Sequence, residues 1–298
     1  MNQPITLRTA LKSYPHTLPL KRGEITDPRV SLECVEIEPI HRAFAPMARQ
    51  QEFDVSEMAI VTYLQAKAYD KPLVLLPTVV AARLQQGCIV YNAKRGPMSV
   101  ADLAGARVGV RAYSQTTGMW VRGILANTYG VDLEQIRWIT FEGSHLLEYR
   151  DPPFVSPAAA DQKMLDMLLA GELDAAIFGN DLPDVDGIEP LIVNPAEADQ
   201  QWYGQHQLVP PNHVVVMRRD IAGQHPDAVR AVYDMLRRGK EAAPATRPAN
   251  RLPTGIEAMR KPLMLTLDFC HQQKLLPRRL DIEEIFADSK AFLGDSAN

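Results

Sequence analysis

Two polar segments of this chain could bind and transform a small anion. Residues 52–58 have the sequence EFDVSEM, and residues 107–117 have the sequence RVGVRAYSQTT. Each begins as an apolar strand and passes through small or hydroxyl side chains into a helix. An α/β sheet presents polar side chains and free helix N-terminal amides to ligands at such junctions. Two junctions in one chain predict two lobes that close on one ligand.

The candidates for proton transfer are His213 and Glu57. Histidine is the side chain that titrates near pH 7, and His213 precedes a predicted strand. The alternative is a hinge histidine bonded to the backbone. Glu57 could accept a hydrogen bond from a substrate hydroxyl, or act as an acid if burial raises its pKa. Otherwise it is a first-turn glutamate favoured by the helix dipole. Ser56 is either a plain N-cap or a ligand contact.

The candidates for anion binding cluster at the start of a predicted helix. They are Ser114, Gln115, Thr116 and Thr117. Unpaired amides and the helix dipole both favour an anion there, although simple capping by Ser114 or Thr116 is the alternative.

Other residues could contact the ligand from neighbouring positions. Arg111 ends the preceding strand and could clamp a carboxylate. Arg122 lies one turn into the helix, and the alternative for it is a surface salt bridge. Tyr14 and His16 lie on the first strand-to-helix loop, a usual ligand edge, although His16 is expected to be an ordinary loop residue.

The composition narrows the class of protein. The chain has 298 residues, a net charge of -4 and dispersed basic residues, which argue against nucleic acid as a partner. The sequence contains no run of about 18 apolar residues, so no membrane span is predicted. The N-terminal sequence lacks a signal-peptide pattern, so a cytoplasmic protein is expected. Three widely spaced cysteines indicate neither a disulfide framework nor a metal site, and no nucleotide-binding motif occurs.

The periodicity predicts alternating strands and helices. The expectations that matter for the site are strands at 5–10, 53–55, 108–111 and 214–217, and helices at 58–68, 116–129 and 156–173, with Ser56 as the N-cap of the first helix. Such alternation predicts parallel sheets covered on both faces. The predicted division is residues 1–108 plus 210–298 as lobe one and 109–209 as lobe two.

Six stretches carry a family likeness, which spans nearly the whole chain. They are residues 52–58, 88–92, 101–110, 120–125, 213–219 and 255–275. Together they resemble the 4,5-dihydroxyphthalate decarboxylase family. The pattern at 101–110 is shared by many type II periplasmic-binding-protein folds, whereas 52–58 and 120–125 are more specific.

The resemblance implies two Rossmann-like lobes of the type II periplasmic-binding-protein kind, with a ligand cleft between them. It also implies a cofactor-free decarboxylation of a dihydroxylated aromatic diacid to protocatechuate, in cytoplasmic phthalate catabolism. His213 matches a family histidine.

The chain departs from the family pattern at two places. Ala82 and Gln86 stand where the family has an arginine and a histidine, and the adjacent Arg83 could replace that arginine. Residues 111–114, which include Ala112, stand where the family has Pro-Glu-Tyr-Gln. These departures leave the substrate open, and they could also mean that the chemistry has been lost.

Three hypotheses follow. The first is a decarboxylase of a small aromatic dicarboxylate, with His213 and Glu57 handling protons and no metal. The second is a substrate-binding protein or sensor for a small carboxylate that uses the same closure. The third, ranked last, is a biosynthetic enzyme of this fold acting on another acid. A homo-oligomer is compatible with each.

Overall fold

The computed structural model describes residues 3–179, 181–244 and 252–298. The chain divides into two compact units. Unit 1 comprises Met1–Ala82, Pro211–Leu267 and Pro277–Asn298, and unit 2 comprises Arg83–Pro210 and Asp268–Leu276. Both units combine a β-sheet with helices, as the predicted α/β class requires. No helix in the described part of the chain is long and apolar enough to cross a membrane.

Unit 1 is built on a five-stranded sheet in the order β2-β1-β3-β11-β4. Its strands are β1 (Ile5–Ala10), β2 (Val30–Cys34), β3 (Val55–Ala59), β4 (Leu73–Ala82) and β11 (Pro211–Arg218). The first three strands are parallel, but β11 runs antiparallel to both of its neighbours. The prediction of a purely parallel sheet is therefore wrong for unit 1. The reason is that β11 does not follow a crossover helix of this unit, which is the connection that makes neighbours parallel.

Unit 1 contains seven helices in its described residues. They are α1 (Leu18–Lys21), α2 (Phe44–Gln50), α3 (Ile60–Ala68), α7 (Arg219–Gln224), α8 (Pro226–Ala242), α9 (Ile256–Gln272) and α10 (Ile282–Leu293). The last residues of α9 belong to unit 2.

Strand β3 runs four residues beyond its predicted end at Val55, and α3 starts only at Ile60. The expected helix start at Met58 and the expected N-cap role of Ser56 are both wrong. Strand β3 lies between β1 and β11: β1 pairs with Val55 and Ser56, and β11 pairs with all of residues 55–59 and so holds them extended. All five of its residues are buried.

Unit 2 contains a six-stranded sheet in the order β10-β5-β9-β6-β7-β8. Its strands are β5 (Ile89–Asn92), β6 (Arg107–Val110), β7 (Arg137–Thr140), β8 (Val155–Pro157), β9 (Ala175–Ile177) and β10 (Ile188–Pro190). The strands from β9 to β8 are parallel, whereas β5 is antiparallel to both β9 and β10. The sheet is therefore mixed, not parallel. Because β5 pairs only within this sheet, residues 83–108 belong to unit 2 and not to the predicted lobe one.

Three helices complete unit 2: α4 (Thr116–Tyr129), α5 (Met164–Ala170) and α6 (Pro195–His206). The bounds of α4 agree with the prediction. The expected helix over 156–173 is wrong at its first half, because residues 155–157 pair with β7 as strand β8. The core of this unit includes Val90, Leu168 and Phe178, which pack between α5 and the sheet.

Candidate active site

A buried carboxylate and a histidine meet on adjacent strands of unit 1. In the antiparallel pair β3–β11, His213 lies opposite Ala59, and Glu57 is two residues away on the same face. Long side chains at such diagonal positions reach one another. His213 Nδ1 lies 2.6 Å from Glu57 Oε1, the Glu57 side chain is fully buried, and 18% of the His213 side chain is exposed. Two residues that are 156 positions apart in sequence thus form one pair.

The loop after β1 supplies the remaining partners of Glu57. The hydroxyl of Tyr14 donates to Oε1 at 2.8 Å, and the backbone N–H of Lys12 donates to Oε2 at 3.0 Å. Three of the residues proposed from sequence, Tyr14, Glu57 and His213, are therefore in one cluster. The Lys12 contact was not predicted, because a backbone donor leaves no signal in the residue type.

The electrostatics of this cluster favour an ionised glutamate. Burial raises the pKa of Glu57, but hydrogen bonds from His213, Lys12 and Tyr14 and the charge of His213 outweigh burial and lower it below its ordinary value. An ionised carboxylate only accepts hydrogen bonds, so His213 must donate from Nδ1. A lowered pKa does not favour Glu57 itself as the acid, and its carboxylate fixes the orientation of the His213 ring.

The other nitrogen of His213 is available for chemistry. Within the described chain, no residue hydrogen-bonds Nε2, and the imidazole makes a T-shaped contact with the Phe44 ring at a centroid distance of 5.0 Å. A histidine whose Nδ1 is fixed by a carboxylate presents Nε2 in a defined direction. This arrangement can deliver or remove one proton at a defined point.

His16 is a buried structural residue. Its ring stacks on Tyr14 at 5.2 Å, its Nε2 lies 3.0 Å from the carbonyl oxygen of Val80, and only 4% of the residue is exposed. Burial, with a contribution from the nearby Lys240, lowers the pKa of His16 to about 4. A neutral His16 holds the Tyr14 ring, and through it the donor to Glu57.

Ser56 faces no open surface. It is fully buried in β3, and its hydroxyl donates to the carbonyl oxygen of Glu57 at 2.8 Å. Ser56 therefore stabilises the backbone conformation at Glu57.

The start of α4 gathers the polar residues of unit 2. Ser114, Thr116 and Thr117 are each at most 4% exposed. Gln115 is the N-cap residue, in extended conformation, and its side chain makes no capping hydrogen bond. The hydroxyl and amide side chains of this group therefore lie at the positive end of a 14-residue helix.

Arg83 joins this group. Its Nη2 donates to Thr117 Oγ1 at 2.5 Å. A Cβ atom added at Gly179 would lie 3.4 Å from Arg83 Nη2 and 3.5 Å from Gln115 Nε2, so both donors converge beside that glycine. The carboxylate of Asp181 approaches the same point at 3.1 Å and accepts the N–H of Gly179 at 2.9 Å. The cluster combines one cation, one acid and the helix end.

Arg111 directly follows β6. Its Nε is 3.5 Å from Glu142 Oε2, and its carbonyl oxygen accepts the backbone N–H groups of Phe141 and Glu142. The structure thus gives Arg111 an acidic neighbour at the end of β6, and its assignment as a carboxylate clamp stays a prediction.

The departures from the family pattern fall on structural positions. Gln86 is buried, and its Oε1 accepts a hydrogen bond of 2.6 Å from Tyr129, while its backbone N–H donates to Asp199. Ala82 ends β4 opposite Pro211. Ala112 is buried in the loop before α4.

The alternative considered for Arg122, a salt bridge at the surface, is wrong. Arg122 is fully buried, with its guanidinium 3.9 Å from the centroid of Tyr113 and 5.3 Å from that of Trp138. The neighbouring aromatic residues were visible in the sequence, but only packing brings them around one guanidinium. As for metals, the described residues contain no group of three or more histidine, cysteine or acidic side chains that could hold an ion.

The fold is that of the two-lobed periplasmic binding proteins. The alkanesulfonate-binding protein of Xanthomonas axonopodis pv. citri has a TM-score of 0.56 and 16% identity, covering 96% of this chain and 99% of its own. The desulfurization enzyme DszB has a TM-score of 0.55 and 12% identity, covering 96% and 99%. Binding proteins and an enzyme share this architecture, so these similarities show the fold alone.

Sequence comparison assigns the family. A 4,5-dihydroxyphthalate decarboxylase of Comamonas testosteroni is 30% identical over 241 residues, which cover 74% of this chain and 71% of that protein. One of Pseudomonas putida is 29% identical over 218 residues, covering 67% and 81%. No protein-family model matches the chain. The chain belongs to the 4,5-dihydroxyphthalate decarboxylase family, and it is accordingly an enzyme of the decarboxylase class.

Proposed function

We propose that the protein removes CO2 from a dihydroxylated aromatic dicarboxylate of the 4,5-dihydroxyphthalate type. The two relatives carry the name of that activity. The observation that carries the proposal is the buried Glu57 bonded to His213 Nδ1 at 2.6 Å. Loss of CO2 from such an acid needs one proton at the ring carbon, and this pair is suited to supply it. A cytoplasmic role in the breakdown of aromatic acids belongs to the same proposal.

The proposed reaction uses the ring hydroxyl that lies para to the departing carboxylate. Its electron density moves into the ring, and the carbon that bears the carboxylate takes the proton from Nε2 of the His213 imidazolium. The bond from the ring to the carboxylate carbon then breaks, its electron pair restores the aromatic ring, and CO2 leaves. The product is protocatechuate, and His213 regains a proton from solvent.

Glu57 makes His213 fit for this step. A buried carboxylate next to Nδ1 compensates the positive charge of the imidazolium and fixes the direction of the ring, which suits His213 for proton transfer from Nε2. Tyr14 and Lys12 keep Glu57 ionised and oriented, since both donate to it. Loss of either hydrogen bond would leave the Glu57 carboxylate less stabilised and less well oriented.

The α4 start is proposed to bind a carboxylate. Arg83, Gln115 and Thr117 converge there, and the helix end adds positive potential. Efficient decarboxylation requires that such groups hold the carboxylate that stays, because strong neutralisation of the leaving one would retard its loss. Ser114, Thr116 and Arg111 complete the proposed set of substrate-binding residues.

The test is direct. Purified protein, treated with chelator, is incubated with 4,5-dihydroxyphthalate, and protocatechuate and CO2 are quantified by chromatography and trapping. We expect stoichiometric formation of both. His213→Ala should lower kcat by about 100-fold or more while substrate binding persists. The exposed His225 provides the control, since His225→Ala should leave kcat unchanged.

The outcomes separate the hypotheses. Tight binding without release of CO2 would favour a binding protein or sensor for a small carboxylate. Neither binding nor turnover would point to another acid as the substrate, and a thermal-shift screen of aromatic and aliphatic acids would follow. Equal activity of His213→Ala and the wild type would remove His213 from the mechanism.

A further inference from the structure

A buried cation lies beside the first turn of α4. The Arg122 side chain is fully buried. Its Nε donates to Gln273 Oε1 at 2.8 Å, and its Nη2 donates to the carbonyl oxygen of Tyr113, in the loop that leads into the helix. Its third nitrogen, Nη1, is buried and has no hydrogen-bond partner among the described residues. One nitrogen of this guanidinium, with its two N–H groups, is thus left without an acceptor in the described part of the chain.

The position of Nη1 is set by a glycine. A Cβ atom at Gly118, the third residue of α4, would lie 3.0 Å from Nη1 and 2.9 Å from Val110 Cγ2. The absence of a side chain at 118 therefore gives the guanidinium room to lie against the first turn. This is the turn whose backbone N–H groups form the positive end of the helix.

The charge of Arg122 lacks a carboxylate partner. No acidic oxygen in the described chain lies within ion-pair distance of its guanidinium. The acid that interacts with it electrostatically is Asp151, whose pKa burial raises. Its other neighbours include the rings of Tyr113 and Trp138 and the neutral amide of Gln273.

Such an arrangement is costly in a protein without a ligand. Burying a cation is unfavourable unless an opposite charge compensates for it. The positive helix end and Arg83, which bonds Thr117 in the same turn, increase the local positive potential. The hydrogen bonds to Gln273 and Tyr113 could be made by a neutral amide, so they do not by themselves require a charge. An anion at the helix start would provide the missing compensation.

We propose that Arg122 is a positioning residue for the anion site of unit 2, where its buried charge makes the start of α4 selective for an ionised carboxylate. The inference rests on the proposed function, which assigns a carboxylate substrate to this site. Arg122 acts through the helix start and the Tyr113 loop and does not itself touch the ligand.

The test uses phthalate, which carries two carboxylates but lacks the hydroxyls that the reaction needs. Binding is measured by titration calorimetry at low and high NaCl. Arg122→Met removes the charge at similar volume and should raise the Kd of phthalate by about tenfold, a loss that shrinks at high salt. Arg122→Lys restores the charge without the planar fork and should stay within about threefold of the wild type.

Two further variants separate charge from structure. Gln273→Met removes the acceptor of Arg122 Nε and keeps the charge, so phthalate binding should persist. Arg122→Gln is a second neutral variant, whose amide can still donate to Tyr113, and it should lose affinity as Arg122→Met does. It replaces Arg122→Met if circular dichroism shows that the methionine variant is unfolded.

The proposal is overturned if Arg122→Lys loses as much affinity as the neutral variants, or if the neutral variants bind phthalate like the wild type. Wild-type protein that turns over 4,5-dihydroxyphthalate but does not bind phthalate would also overturn it and leave the proposed function standing. Phthalate binding with the expected order of affinities but no turnover would support the Arg122 role and refute the decarboxylase.

Discussion

The two candidate sites of this protein differ in how their charges are balanced. In unit 1, Glu57 is buried with three hydrogen-bond donors, one of which is the titratable His213. In unit 2, Arg122 is buried with no carboxylate in reach among the described residues, next to a positive helix end. The first site is neutral overall when His213 carries its proton, whereas the second has an excess of positive charge.

This difference indicates a division of labour. A matched acid–base pair can gain and lose a proton at small cost, which suits catalysis at neutral pH. An unmatched cation gains stability when an anion arrives, which suits binding. A substitution in unit 1 should therefore change kcat, and one in unit 2 should change KM.

The largest effect should come from Glu57→Gln. This change keeps the shape of the side chain but removes the charge that stabilises the His213 imidazolium, so kcat should fall by about 100- to 1,000-fold with little change in KM. Steady-state kinetics of protocatechuate formation measure both constants. The matched control is Glu52→Gln, because the Glu52 side chain is 43% exposed and pairs with Arg8. A fall confined to KM would contradict the assignment.

The second-largest effect should be on the stability of the fold at acidic pH, and it depends on His16. The pKa of His16 falls from 6.5 in the unfolded chain to about 4 in the fold, so between these values the unfolded state binds more protons. Stability should therefore decrease as the pH drops from 6.5 to 4, by about 3 kcal/mol at most.

His16→Gln should flatten this dependence, since the amide can still bond the Val80 carbonyl but does not titrate. Urea unfolding at pH 7, 6, 5 and 4.5 provides the measurement. The exposed His225 gives the control variant, His225→Gln, which should follow the wild type. Equal slopes for His16→Gln and the wild type would show that His16 is not a buried neutral residue.

A smaller effect is expected for the packing that supports α4. A Cβ atom at Gly123 would overlap the ring of Phe269, so Gly123→Ala should lower the free energy of unfolding by about 1–3 kcal/mol. Gly204, in α6, has no atom within 4 Å of the corresponding position. Gly204→Ala should instead stabilise the protein by about 0.5–1 kcal/mol. Thermal unfolding measures both changes in stability, which should have opposite signs. Changes of the same sign would refute the packing of Phe269 on α4.

The smallest effect should be that of Arg83→Gln. The variant loses the charge-assisted contact at Thr117, so the KM should rise by about three- to tenfold with kcat within about twofold. The control is Arg137→Gln, at an exposed position of β7 in the same unit. If kcat fell and KM did not change, Arg83 would act in the chemical step, and the assignment of catalysis to unit 1 and of binding to unit 2 would be wrong.

The sequence was most informative where a signal is local. The polar segment before α4 predicted a helix start, and α4 has the predicted bounds, because helix periodicity and a stop at glycine are encoded within a few residues. The residue types Tyr14, Glu57 and His213 were selected by their chemistry. The family was also recognisable from short stretches, and the comparisons confirmed it.

The sequence was least informative where pairing between distant segments decides. The extended state of Ser56 and Glu57 depends on ladders to β1 and β11, and local propensity does not show that β3 lies between them. The same holds for β8, because the helix predicted over 156–173 includes Ser156 and Pro157, which pair with β7. The burial of Arg122 likewise depends on Tyr113, Trp138 and Gln273, which lie 9, 16 and 151 residues away in the chain.

By itself, the sequence determined the α/β class, the family and the residue types available for acid–base chemistry and anion binding, because these depend on composition, periodicity and short motifs. Only the tertiary structure decided that His213 Nδ1 meets Glu57 at 2.6 Å, that Arg83 bonds Thr117 in the first turn of α4, and that Arg122 is buried without a carboxylate in ion-pair distance in the described chain. The physical reason is that charge balance depends on distance and burial, and both are set by strand register and packing between residues far apart in sequence.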